Sequence, residues 1–107
     1  MSAHVPEPVG GFFDRVNTQD HEALDLFAAD AVVDDWGREF HGLDQIRAWS
    51  DREFIGSRGV LTVESVEETP DGVLVLGDWR SEHANGPSAF TFEVDGDAIT
   101  RMTIREG

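Results

Sequence analysis

Cysteine, lysine and tyrosine are all missing from this 107-residue chain. Without cysteine there are no disulfides, no thiolate metal sites and no thiol nucleophile. Without lysine there is no Schiff-base chemistry and no phosphate-loop lysine, and without tyrosine no phenol can serve as a proton donor. Positive charge is scarce: 8 arginines face 22 acidic residues, a formal net charge of -14. That balance repels phosphate backbones and anionic lipid surfaces, and so argues against nucleic-acid and membrane partners. Long hydrophobic runs are absent as well. The lead from Met1 to Pro8 has neither a basic start nor an apolar stretch, which predicts no signal peptide, no membrane span and a cytoplasmic protein. The length supports one hydrophobic core, hence a single domain over residues 1–107.

The stretch from Asp30 to Phe54 organises the rest. Its apolar pair Val32-Val33 runs into two adjacent carboxylates, Asp34 and Asp35, then Trp36 and a turn, before a helix opens at Gly42. A carboxylate at a strand end beside an aromatic is poorly solvated, and this is where a pocket acid or base would be placed. Alternation puts Asp35 with Val33, and Asp34 with Val32 and Trp36, so periodicity favours neither.

Ahead of this stretch, Val9, Phe12, Phe13 and Val16 recur at helical spacing. A second helix is expected after it, capped by Asp20 and carrying Leu24, Phe27, Ala28 and Ala31 on one face. The helix from Gly42 presents Leu43, Ile46, Trp49, Ser50 and Phe54 inward and stops near Gly56 and Gly59, with Arg47 and Arg52 expected to pair with surface acids.

From Val60 the period becomes two. Strands are expected over 60–67, 73–82, 88–94 and 99–105, separated by turn signals at Pro70-Asp71-Gly72, Asn85-Gly86-Pro87 and Asp95-Gly96. The face bearing Val75, Gly77 and Trp79 reads as inward. Helix, helix, strand, helix and four antiparallel strands predict an α+β domain with helices on one face of a curved sheet and a small-molecule hollow between them.

The run Phe27-Ala-Ala-Asp-Ala-Val-Val-Asp-Asp-Trp36, followed by Phe40-His-Gly-Leu-Asp-Gln-Ile46, resembles the SnoaL-like branch of the nuclear transport factor 2-like superfamily over almost the whole chain. The resemblance implies a cone in which a curved, mostly antiparallel sheet wraps around three N-terminal helices. It also implies a small apolar ligand and a homodimer formed through the open sheet face, with Thr62, Glu64, Thr91, Glu93 and Arg101 as candidate interface residues.

Carried over by position, Asp35 matches the aspartate with which ketosteroid isomerases shuttle a proton beside a carbonyl. Phe12 and Phe90 stand where those enzymes keep the two donors of the oxyanion hole. Each lost donor costs about 3 kcal/mol of transition-state stabilisation, so steroid isomerisation of the known type is not expected. Epoxide hydrolases and cyclases of similar fold place a catalytic aspartate on the last strand, where this chain reads Met102, Thr103 and Ile104.

Other constellations carry less. Glu39, His41 and the two aspartates have ligand atoms but no spacing that makes them converge, so no metal and no cofactor is expected. Ser81, Glu82 and His83 are triad residue types without triad geometry, because strand neighbours point to opposite faces; His83 alone shares parity with Trp79 and can reach a pocket rim.

Two functional readings follow. In one, Asp35 is the base of a cyclase or isomerase acting on a carbonyl substrate, in a cavity lined by Phe12, Trp36, Trp49, Trp79 and Phe90, with Phe92, Met102, Ile104 and the rim residue His83. A tryptophan N–H, His83 or water would then stabilise the oxyanion. In the other, the domain keeps the cone without the chemistry, as a ligand-binding or dimeric interaction module.

Overall fold

The computed structural model describes residues 4–107; the first three residues of the lead read above lie outside the described residues. The elements run α1 (Val9–Val16), a 3-10 turn (His21–Leu26), β1 (Phe27–Asp35), β2 (Arg38–His41), α2 (Gly42–Glu53), a second 3-10 turn (Ile55–Ser57), then β3 (Val60–Thr69), β4 (Gly72–Arg80), β5 (Gly86–Asp95) and β6 (Ala98–Glu106). The six strands form one sheet in the order β2-β1-β6-β5-β4-β3. Every neighbouring pair is antiparallel except β1 with β6. This is the α+β architecture that the period switch at Val60 predicts, a curved and mostly antiparallel sheet with its helices on one side.

Two expectations are corrected. The second helix is only the six-residue turn His21–Leu26, and Phe27, Ala28 and Ala31 belong to β1. Asp20 does cap the turn, accepting the Glu22 N–H at 2.9 Å. Extending the helix would compete with a ladder in which Phe27 pairs with Ile99 and Val32 with Arg101 on the parallel neighbour β6; that long-range pairing outweighs the helical preference of alanine, which in so short a run is marginal. The second correction is β2, a short edge strand in place of the loop expected between Trp36 and Gly42. Trp36 (φ 55°) and Gly37 (φ 92°) are both left-handed, the backbone of a two-residue hairpin turn whose twist matches that of its strands.

The sheet bends where β3 carries an extra residue between Val63 and Ser65. Gly77 lies opposite Val63 there, and a Cβ on it would overlap the Thr62 carbonyl of the neighbouring strand; a bulge with glycine alongside increases twist and bend. α1 docks on β3 through Asn17, whose amide donates to the Leu61 carbonyl (2.9 Å) and accepts the Leu61 N–H (2.8 Å). α2 begins with Gln45 reaching back to accept the His41 N–H at 2.8 Å, which satisfies one of the helix's orphan donors.

The core fills the space between helices and sheet. Phe12, Phe90, Phe92, Trp49, Ile46 and Met102 are among its largest fully buried side chains, and alternation along β4 buries Val73, Val75, Gly77 and Trp79. No helix among the described residues is long and apolar enough to cross a membrane.

Candidate functional site

The two adjacent aspartates end β1 on opposite faces of the sheet, and each is held by arginine. Asp34 points outward and is buried. Its Oδ1 accepts the Gly37 N–H (2.8 Å) and Arg105 Nη1 (2.9 Å), and its Oδ2 accepts Arg105 Nη2 (3.1 Å) and Arg101 Nη2 (3.2 Å). The Arg105 guanidinium holds this carboxyl below the usual carboxylate range, with the Gly37 N–H and Arg101 acting in the same direction against the opposing effect of burial. Arg101 also reaches Glu39 at 3.2 Å. These charges, with the His41–Glu39 contact at 3.1 Å, lie on the outer face.

Asp35 points inward. Arg38 is its direct cross-strand partner on β2, and the same register brings the guanidinium to Asp35 Oδ2 at 2.6 Å. The Trp49 indole N–H from α2 donates to that same oxygen at 3.1 Å. Oδ1 has no hydrogen-bond partner among the described residues. Arg38 then bridges to Glu53, the last residue of α2, through Nη2–Oε1 (2.6 Å) and Nη1–Oε2 (3.2 Å). His83 Nε2, on the loop between β4 and β5, stands 3.1 Å from Glu53 Oε1. Glu53 foremost, and Asp35 after it, push the Arg38 guanidinium further toward its charged form. Arg38 in turn holds Glu53 below the usual carboxylate range. Asp35, Arg38, Glu53 and His83 thus form a continuous polar arc drawn from three separate parts of the chain.

Behind the arc is a column of rings. Phe40, Trp49, Phe54 and Trp79 stack in sequence, with centroids 5.8, 4.8 and 4.8 Å apart and planes inclined by 28°, 20° and 11°. Phe90 leans on both Phe54 and Trp79. The arc and the column enclose a cavity of about 110 Å³, walled by Trp49, Phe54, Trp79, Phe90 and Ile104, with Asp35, Glu53 and His83 at its mouth. Trp36 lies on the lip and is 59% exposed, the largest apolar side chain left to water among the described residues. Residues 84–88, the end of the β4–β5 connection and the start of β5, close the remaining side. Gly59 is needed beside this wall, because a Cβ there would overlap the six-membered ring of Trp79.

The structure therefore brings together Asp35, Trp36, Trp49, Trp79, His83, Phe90 and Ile104 from the residues singled out in the sequence. It does not bring Phe12, Phe92 and Met102 to the cavity: all three are fully buried in the packing, Phe12 edge-on to Phe13, Phe27 and Phe92. The Trp49 N–H, one of the donors considered for an oxyanion, is engaged with Asp35 instead. Arg47 and Arg52 make no ion pair among the described residues; that role falls to Arg38, Arg80, Arg101 and Arg105.

Sequence reasoning missed Glu53 as a site residue, although it follows Trp49 by one helical turn and so shares its face. Arg38 was unreadable without β2. A larger groove of about 480 Å³ opens between the N-terminal segment, α1 and β3, but its Glu7 carboxylate is spent on the Gly11 N–H at 2.8 Å. No three His, Asp or Glu side chains among the described residues are grouped to hold a metal ion.

The fold is shared with known proteins. Among solved structures, a candidate polyketide cyclase from Sinorhizobium meliloti superposes with a TM-score of 0.82 at 23% identity, covering 94% of this chain and 95% of that one. A Mycobacterium tuberculosis protein in complex with estradiol-17β-hemisuccinate gives 0.81 at 21% identity, over 97% and 95% of the two chains. The Δ5-3-ketosteroid isomerase of a Mycobacterium species gives 0.77 at 21% identity, over 95% of each. At such identities the likeness establishes the fold and nothing finer. A search of the curated proteins returns no match. Residues 9–107 match the family described as the SnoaL-like domain, and with nearly the whole chain inside that match, this protein belongs to the SnoaL-like family.

Proposed function

We propose that the cavity behind Asp35 binds a small, mainly apolar molecule and that Asp35 accepts a proton from it, as the base of a cyclase- or isomerase-type reaction on a carbonyl compound. The observation that carries this reading is the asymmetry of the Asp35 carboxylate. Oδ2 is locked by Arg38 and Trp49, while Oδ1 is left without a partner beside an aromatic chamber. A base fixed through one oxygen and open at the other is pre-oriented, and orientation supplies much of the rate in proton transfer. Support also comes from the fold relatives, one of which is an isomerase and another of which is in complex with a steroid ester. Asp35→Asn keeps the shape and removes the base, so turnover of its substrate is expected to fall about 100-fold or more. The assay is a panel of cyclic ketones and polyketide-like compounds, and equal turnover by the variant on every compound that the parent converts would remove Asp35 from the reaction.

A second reading, a binding module without chemistry, is favoured by one feature: Phe12 and Phe90, at the positions where the resemblance places oxyanion donors, are apolar and buried. Under either reading we propose a homodimer through the outer sheet face. Leu74, Leu76 and Ala89 are half-buried there, beside exposed Thr62, Thr91 and Glu93. Light scattering at micromolar concentration should give twice the 11.8 kDa chain mass; monomer alone at that concentration would exclude this contact.

A further inference from the structure

The chemical class of the ligand follows from the size of the cavity and from the carboxylate oxygen left open at its mouth; the inference rests on the cavity being the ligand site. The chamber of about 110 Å³ is smaller than the ~150 Å³ engineered cavities that take up benzene. It admits one six-membered ring at most, and a molecule of several fused rings would leave most of itself outside, against Trp36. Stacked indole and phenyl walls favour a flat, polarizable ring.

The polar complement is equally restricted. Both Glu53 oxygens are occupied, Oε1 by Arg38 and His83 and Oε2 by Arg38. Of the two carboxylates, Asp35 alone keeps an oxygen, Oδ1, without a partner among the described residues. A carboxylate paired with a guanidinium only accepts hydrogen bonds, so the group that completes it is a donor, and an O–H gives the short, charge-assisted bond. A ketone oxygen in that place would set two acceptors against each other. Charge excludes acids: the mouth holds two carboxylates against one guanidinium, in a chain of net charge -14, which repels an anionic ligand.

We propose that the cavity takes a neutral, single-ring molecule bearing a hydroxyl, a phenol or a ring enol, with its O–H donating to Asp35 Oδ1. With a ring enol, Asp35 takes the O–H proton as the C=O bond forms and the proton is returned to the ring carbon, so this ligand is the enol tautomer of the carbonyl compound proposed above.

All three tryptophans of the chain lie against the cavity, so the three indole N–H signals in a ¹⁵N-correlated NMR spectrum of the whole protein report its occupation. The probes are para-cresol, its methyl ether, para-toluate and estradiol. Para-cresol is expected to shift the Trp49 indole signal and to bind about 10-fold or more tightly than the methyl ether, the worth of a hydrogen bond to a charged group. Para-toluate and estradiol are expected to bind more weakly than para-cresol. In Asp35→Asn the preference for cresol over its ether should shrink to about 3-fold or less, as a neutral acceptor replaces a charged one. Equal binding of cresol and its ether by the parent protein overturns the hydroxyl assignment, and estradiol binding tighter than cresol overturns the single-ring limit. In both cases the cavity remains a ligand site. If no probe moves any indole signal, the ligand site itself is refuted, together with this proposal. The comparisons within the parent protein decide the matter even if the variant folds poorly.

Discussion

Replacing Phe54 by alanine is expected to destabilise the protein by about 3–5 kcal/mol, the usual cost of deleting a buried aromatic ring. Phe54 is at the middle of the stack, 4.8 Å from both Trp49 and Trp79, and it also meets Phe12 at 6.1 Å and Phe90 at 6.3 Å. It follows α2 directly and its own backbone is not helical, so its side chain is fixed by packing alone. The loss therefore combines the transfer of the ring with a void that rigid neighbours cannot fill. For a domain of this size, such a loss lowers Tm by at least about 12 °C. The same void joins the existing cavity, so Phe54→Ala should accept larger ligands than the parent does. Thermal unfolding followed by tryptophan fluorescence checks the first effect, since all three tryptophans border the affected space. A loss below about 1 kcal/mol would mean that the column collapses around the gap and that the cavity walls are not rigid.

The second large effect is expected on the other side of the sheet. Asp34→Ala strips the acceptor from two guanidiniums and from the Gly37 N–H at once. Breaking a buried ion pair costs about 3–5 kcal/mol. Here the Arg101 and Arg105 side chains keep 32% and 45% of their surface in water, so about 2–3 kcal/mol is expected after that screening. Because Asp34 and Glu53 are both held below the ordinary carboxylate range in the folded state, each contributes stability that is present above that range. That stability is lost as the pH falls through the folded-state values. Glu39, held down by Arg101, acts in the same direction; parent protein should therefore lose stability from about pH 4 downward, and Asp34→Ala should show a shallower acid limb because one of these groups is gone. Urea midpoints from pH 7 to pH 3 measure both quantities. Parallel curves for parent and variant would show that Asp34 is not the group being titrated.

Asp34 and Asp35 also mark where sequence and structure divide. Period two states that neighbours face opposite ways, without stating which way is in. The choice was made by β6 and α2, which bring Arg105 to one aspartate and Trp49 to the other across 71 and 14 residues of chain. The second helix failed for a related reason. Leu24, Phe27, Ala28 and Ala31 satisfy a helical period, yet Phe27 and Ala31 bury equally well from a strand that shifts register before Val32. Short apolar runs do not discriminate between the two states. Likewise Phe12, Phe92 and Met102 were legible as interior residues, but an apolar side chain looks the same whether it meets another side chain or an empty space.

By itself the sequence determined what depends on local chemistry and on repeat period. These are the start of α2 at Gly42, the turns near Pro70 and Gly96, the inward face of β4 at Trp79, and the net acidity; the turn read at Asn85-Gly86-Pro87 is displaced, since Gly86 and Pro87 already belong to β5. Only the tertiary structure decided which carboxylate meets the cavity, that Arg38 joins it to Glu53, and how little room the rings leave. Those are properties of pairs far apart in the chain, set by strand register and by the packing of α2 on the sheet, and neither composition nor periodicity specifies an absolute direction in space.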